Sequence, residues 1–204
     1  MGLMGHRCPD FSKTMSHYIN SSGGYRNLFS YQKSVIVQDL TFHFTERFLS
    51  VSDRTVDQMN QAARSGKQNI AEGSLASATS KESELKLTNV ARASLGELLE
   101  DYQDYLRRNK IPQWDKDGSE AVWLRDYLKK VSFEQGHDVV LKIAEKRDAG
   151  VVANMAIVVI CQAMFLLDRQ LERLTADFIQ NGGALERFIR AHKEQKRRKK
   201  DDGK

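Results

Sequence analysis

Proline, the strongest breaker of α-helices, occurs only at positions 9 and 112 of this 204-residue chain. The stretches 10–111 and 113–204 can therefore form long, uninterrupted helices. Apolar residues recur at helical spacing through both stretches, and no useful length of strand-like alternation is present. With 40% apolar and 29% charged residues, the composition is that of a globular protein. The sequence predicts an all-α fold of one large domain or two small ones.

Three long helices are predicted before the second proline. The first covers about 28–49, and its apolar residues share one face. The second follows Asp53, a residue typical of helix N-caps. The third begins either with a capping box of Thr79 and Glu82 or with Ser80 as its cap. Because a short loop joins the second and third helices, we expect them to form an antiparallel hairpin.

The second helix carries a heptad seam, in which apolar or small residues alternate steps of three and four. The members of this seam are Val56, Met59, Ala63, Gly66, Ile70 and Gly73. The third helix has an equivalent row, namely Ala91, Leu95, Leu98, Tyr102 and Tyr105. Each glycine inside a helix costs about 1 kcal/mol relative to alanine. Two glycines in one seam therefore predict a neighbouring helix packed tightly against it.

Residues 111–148 differ from the rest because they offer too little apolar surface for a domain of their own. We expect two short helices there, at 119–130 and 138–147, bracketed by Gly118 and Gly136. A fourth long helix is predicted from near Gly150 to Asn181. The complete prediction is an antiparallel up-down four-helix bundle over 25–183, with a helical insertion between the third and fourth helices and a basic C-terminal helix or tail over 184–204.

The start of the fourth helix is apolar on all sides, so it needs cover from the insertion or from another subunit. Residues 149–167 contain no charge and approach the length of a membrane span. Asn154, Gln162 and the continuation into a charged helical stretch favour a buried helix instead. The first 24 residues show no signal-peptide pattern and are expected to be a flexible leader. Cys8 and Cys161 form no disulfide framework, which agrees with a cytoplasmic location.

No recognisable catalytic, metal or cofactor motif is present. Glu134 with His137 is the only Glu-x-x-His pair, whereas di-iron bundles need two such pairs and two further carboxylates. His43 with Glu46 is a lone reversed pair, and Cys161 has no histidine nearby in sequence. The prediction is therefore a protein without enzymatic activity, metal or cofactor.

The last 20 residues, 185–204, which we call the basic segment, contain nine basic and four acidic residues. The rest of the chain is electrically neutral, so the net charge of +5 resides in this segment. Dense cations attract the phosphate backbone of nucleic acids. The predicted nucleic-acid-binding residues are Arg187, Arg190, Lys193, Lys196, Arg197, Arg198, Lys199 and Lys200. A solvated, solubilising tail is the alternative, and little apolar surface accompanies the charge for membrane binding.

The second and third helices also carry motifs of a known family. These motifs are Asn69-Ile70-Ala71-Glu72-Gly73 preceded by Gln58 and Ala62, then Ser80-Lys81-Glu82, then Ala91-Arg92-Ala93-Ser94-Leu95-Gly96-Glu97-Leu98. They resemble the small bacterial four-helix-bundle family that includes proteins encoded by intervening sequences of large-subunit ribosomal RNA genes and the accessory variability determinants of diversity-generating retroelements. The sequence looks most similar to longer members described as having a four-helix-bundle suffix domain.

The resemblance implies a bundle that assembles as a ring, typically a pentamer, without known enzymatic activity. In the retroelement branch it also implies binding to nucleic acid and to a reverse transcriptase. It marks Asn69, Glu72, Gly73 and Arg92 as signature residues, which we interpret as packing and assembly residues. The insertion at 111–148 and the basic segment depart from the usual family pattern.

Glu72 and Arg92 have opposite charges, but the hairpin geometry separates them. Glu72 should face about residue 84, and the eight residues from there to Arg92 correspond to about 12 Å of helix. We expect the two to meet across a subunit interface or each to have a nearer partner.

The predicted function is a non-catalytic oligomeric scaffold that binds nucleic acid or serves as an accessory subunit of a nucleic-acid enzyme such as a reverse transcriptase. The alternative is a purely structural oligomer or protein-interaction adaptor without a nucleic-acid role.

Overall fold

A computed structural model describes residues 24–181 and residue 192. Over these residues the protein is all-helical, as the sequence predicts. A 3-10 turn at Gly24–Asn27 is followed by six α-helices. They are α1 (Phe29–Phe48), α2 (Arg54–Ala76), α3 (Lys81–Arg108), α4 (Ser119–Lys130), α5 (Phe133–Ala144) and α6 (Ala149–Asn181).

Side-chain caps define where the long helices begin. The Asp53 carboxylate accepts a hydrogen bond from the Thr55 amide at 2.9 Å and caps α2. The Ser80 hydroxyl accepts from the Ser83 amide at 3.1 Å, so Ser80 rather than Thr79 is the cap of α3. Such caps satisfy amides that the first helical turn leaves unpaired.

The four long helices contact one another in a closed order. Helix α1 packs against α2 and α6, and α3 packs against α2 and α6. The core between them is mainly apolar. Two buried hydrogen bonds lie within it: the Tyr102 hydroxyl donates to Thr41 Oγ1 at 3.2 Å, and Thr41 donates to the Val37 carbonyl at 2.7 Å. The first of them joins α3 to α1 in the middle of the core.

The apolar start of α6 receives its additional cover from the insertion. Helix α4 packs on α6, burying Ala121, Leu124 and Leu128. Among the described residues, Ala149–Gln180 is long and apolar enough to cross a membrane, and 61% of its most apolar window is buried within the protein. Burial of this extent is typical of a helix in a protein core, as the sequence analysis favoured.

Three hydrogen bonds explain why the polar residue Asn154 lies in this apolar stretch. Asn154 is 2% exposed, and its Oδ1 accepts from the Trp114 amide at 2.7 Å. Its Nδ2 donates to the Pro112 carbonyl at 3.2 Å and to the Gly150 carbonyl at 2.9 Å. Asn154 thereby fastens the connection after α3 to the first turns of α6.

The second helix of the insertion differs from the prediction. It spans Phe133–Ala144 instead of 138–147, because Ser132 caps it by accepting from the Gln135 amide. Gly136 lies inside this helix and does not bracket it. A Cβ atom at Gly136 would lie 2.8 Å from Leu128 Cδ2, so this glycine allows α5 to approach α4 closely. Gly136 is therefore a packing glycine, and its prediction as a helix boundary is wrong.

Candidate functional site

Of the four signature residues, Gly73 lies where α2 and α3 pack together. A Cβ atom at Gly73 would lie 3.3 Å from Leu87 Cβ and 3.4 Å from the Glu84 carbonyl oxygen. One heptad earlier, a Cβ atom at Gly66 would lie 2.7 Å from Leu95 Cδ2. Both glycines are buried. The seam of α2 therefore contacts α3 at distances that leave little or no room for a further methyl group.

Asn69 forms hydrogen bonds within its own helix and reaches α3 only through Ser65. Its Nδ2 donates to the Ser65 carbonyl at 2.9 Å and to Ser65 Oγ at 3.1 Å. Ser65 Oγ lies 2.9 Å from Ser94 Oγ on α3. Asn69 thus belongs to a small polar network that orients Ser65 toward the neighbouring helix.

Arg92 pairs with Asp168 of α6 and not with Glu72. Its Nε donates to Asp168 Oδ1, and a second guanidinium nitrogen lies 3.5 Å from Oδ2. The Glu72 side chain is exposed and forms no hydrogen bond or ion pair with the side chain or backbone of another described residue. Arg92 has therefore found a nearer partner within the chain, and it joins α3 to α6.

The predicted nucleic-acid-binding residues lie outside the described residues. They are Arg187, Arg190, Lys193, Lys196, Arg197, Arg198, Lys199 and Lys200. Their contribution is consequently argued from charge and sequence alone.

The two histidines and the cysteine that were candidates for a metal or catalytic site have separate surroundings. His137 Nε2 lies 2.7 Å from Asp39 Oδ2, which ties α5 to α1. His43 Nε2 is buried without a hydrogen-bond partner among the described residues. No group of three or more potential metal ligands occurs in the part of the chain that the structure describes. Cys161 is exposed, yet desolvation by its neighbours raises the pKa of its thiol, which lowers the fraction of reactive thiolate at neutral pH.

Sequence reasoning missed a cavity of about 880 Å³ between α1, α6 and the insertion. We call it the insertion cavity. Its walls include Ile36 of α1, Leu128 of α4 and Ile157 of α6, and the Lys33 side chain also lines it. The only available signal was the all-round apolar start of α6, which indicated cover without showing that the cover is incomplete.

No family model, curated protein or solved structure significantly matches this chain. The resemblance to the small bacterial bundle family therefore stays a prediction from the motifs on α2 and α3.

Proposed function

We propose that the chain is a non-catalytic scaffold, an antiparallel up-down four-helix bundle whose basic segment binds nucleic acid. The closed contact order of α1, α2, α3 and α6 supports the bundle arrangement. The short connections at 49–53 and 77–80 support antiparallel neighbours. The insertion then occupies the crossover between the third and fourth helices of the bundle.

The uneven distribution of charge along the chain is the observation that supports nucleic-acid binding. Nine of the 32 basic residues lie in the basic segment, which holds only four of the 27 acidic ones. Five consecutive cations, at 196–200, are a density typical of segments that neutralise phosphates and release counterions. An accessory role beside a nucleic-acid enzyme such as a reverse transcriptase is part of this proposal and derives from the resemblance.

Salt dependence tests the proposal directly. If six to eight cations engage phosphates, the logarithm of affinity should fall against the logarithm of salt concentration with a slope of roughly −5 to −7. Fluorescence anisotropy with short DNA duplexes measures this slope, and single strands should give a shallower one, at about −0.7 per engaged cation instead of about −0.9. Replacing Lys196, Arg197, Arg198, Lys199 and Lys200 by glutamine should flatten it by roughly 4 to 5.

A matched control removes the same charge from the helical body. Glutamine at the exposed positions Arg64, Lys86, Lys130, Lys142 and Lys146 should leave the slope almost unchanged. Equal flattening by both variants would show that the body, and not the basic segment, carries the contacts. Absence of binding at physiological salt, with a protein partner retained after nuclease treatment, would favour the adaptor alternative.

Assembly into a homo-oligomer is proposed from the resemblance, with the pentamer as its specific form. Light scattering coupled to gel filtration distinguishes a pentamer, at five times the 23.3 kDa chain mass, from a monomer. A monomer at every concentration tested would refute the assembly proposal without affecting the salt experiment.

A further inference from the structure

The insertion cavity has the size and composition of a small-molecule site. Its volume of about 880 Å³ falls within the range of about 300–1,000 Å³ found for ligand pockets. Apolar side chains dominate its walls, including Ile36, Trp114, Leu128 and Ile157. An apolar ligand body would therefore find partners on several sides, from α1, α4, α6 and the connection before α4.

Two polar groups in the cavity have unused hydrogen-bonding capacity. Lys33 donates one hydrogen bond, from Nζ to the Leu128 carbonyl at 2.9 Å, so two ammonium protons remain available. Gln162 donates from Nε2 to the Arg125 carbonyl at 3.1 Å, while its buried Oε1 has no partner among the described residues. A buried polar atom without a partner is costly. A hydroxyl or amino group on the apolar body of a ligand would remove that cost at Gln162, whereas a carboxylate, which only accepts, pairs with Lys33 instead.

The charges around the cavity are mainly positive. Lys33, Lys116, Arg125 and Lys129 line it, together with the carboxylate of Glu134, and Lys129 is paired with Asp126 at 3.4 Å. Lys33 forms no ion pair with any described residue, and burial lowers the pKa of its ammonium to about 8. An anionic group next to Lys33 would compensate for this loss of hydration. The electrostatic complement of the cavity is therefore an anion.

We propose that the insertion cavity binds a small amphiphilic carboxylic acid, whose apolar body fills the cavity and whose carboxylate pairs with Lys33. Phe29 and Phe165 line the cavity yet are 70% and 63% exposed, which places them at its mouth. A bound alkyl or aromatic body would cover both rings. This site is separate from the basic segment and does not depend on nucleic-acid binding.

Displacement of a fluorescent probe tests the site in the full chain. 1-Anilinonaphthalene-8-sulfonate, itself an apolar anion, should bind with increased fluorescence, and dodecanoate should displace it. Dodecanol supplies the same apolar body without the charge. Because a hydrogen bond to a charged group is worth about 1.5–3 kcal/mol, dodecanoate should bind at least about tenfold more tightly than dodecanol.

The Lys33→Met variant should reduce this preference for dodecanoate to less than about threefold, since it keeps the side-chain length and removes the charge. The matched control is Lys86→Met, at an exposed lysine of α3 that does not line the cavity, and it should retain the preference. Equal binding of dodecanoate and dodecanol to the unmodified protein would overturn the proposal, as would an equal loss in both variants.

Chemical modification of Cys161 gives an independent measurement of binding, and it does not require a substitution in the cavity wall. Cys161 is exposed and lines the cavity, so in a Cys8→Ser background dodecanoate should slow its modification by a maleimide severalfold. Unchanged modification at saturating dodecanoate would place the ligand elsewhere and overturn the proposal. Protection that depends on protein concentration, without added ligand, would overturn it in favour of a second copy covering the cavity.

Discussion

An alanine at position 66 would place its methyl carbon 2.7 Å from Leu95 Cδ2 and 2.9 Å from Leu95 Cγ. Separations below 3.0 Å essentially never occur for real Cβ atoms, and Leu95 is 0% exposed, so it cannot swing into solvent. Alanine gains about 1 kcal/mol of helix propensity over glycine. Overpacking a core costs about 1–3 kcal/mol. We expect Gly66→Ala to lower the free energy of unfolding by about 1 kcal/mol.

Gly96 provides the matched control on the facing helix. A Cβ atom there would have Met164 Cε, at 3.9 Å, as its nearest neighbour, which is ordinary contact. Gly96→Ala should therefore keep the full propensity gain and raise stability by about 1 kcal/mol. Gly73→Ala, with Leu87 Cβ at 3.3 Å, should fall between the two.

Urea unfolding followed by circular dichroism, at one fixed protein concentration, measures these differences. A double-mutant cycle adds Leu95→Ala, which should cost about 2–5 kcal/mol alone and at least about 1 kcal/mol less beside Gly66→Ala. If Gly66→Ala stabilises the protein as much as Gly96→Ala does, the close approach of α2 and α3 is refuted.

Three further outcomes are expected. Asn154→Leu should cost about 2–3 kcal/mol in urea unfolding, because it leaves the Trp114 amide and the Pro112 carbonyl without their partner; a loss below about 0.5 kcal/mol would contradict this. Asp168→Asn should cost less than about 1 kcal/mol and nothing at 1 M salt, because both members of the Arg92 pair are 43% exposed. Burial lowers the native pKa of Lys33 to about 8, so between pH 8 and pH 10.5 the unfolded chain binds more protons than the native one. The free energy of unfolding of the unmodified protein, relative to that of Lys33→Met, should accordingly rise over that interval by about 1 kcal/mol, a value reduced because Lys33 is partly exposed. Measuring both unfolding free energies as a function of pH checks this. A difference that does not change with pH would refute the burial of the charge.

Helix periodicity and caps made most of the fold predictable. The near absence of proline and the spacing of apolar residues, three and four positions apart, predicted all four long helices. Asp53 caps α2 and Ser80 caps α3, as their residue types indicate. The insertion was harder, because Gly136 has the same local appearance whether it ends a helix or permits a close crossing. Only the position of Leu128, on another helix, decides between these alternatives.

The candidate sites depended on information that a single sequence does not contain. Spacing along the hairpin separated Glu72 from Arg92, but it could not reveal Asp168, which is 76 residues away along the chain. The insertion cavity could not be predicted from the sequence either, because it depends on how closely α1, α4, α5 and α6 pack against one another. Polar residues such as Lys33 and Gln162 have an ordinary sequence context and become unusual only through what surrounds them.

The cover that α4 provides over α6 makes the apolar composition of α6 depend on a distant part of the chain. A version of this protein with residues 112–148 shortened to a tight turn would present Ile157 and Val158 directly to water. Polar substitutions at those positions would then have to accompany the deletion, or the bare helix would aggregate or partition into lipid. Loss of the insertion and loss of hydrophobicity in α6 should therefore occur together.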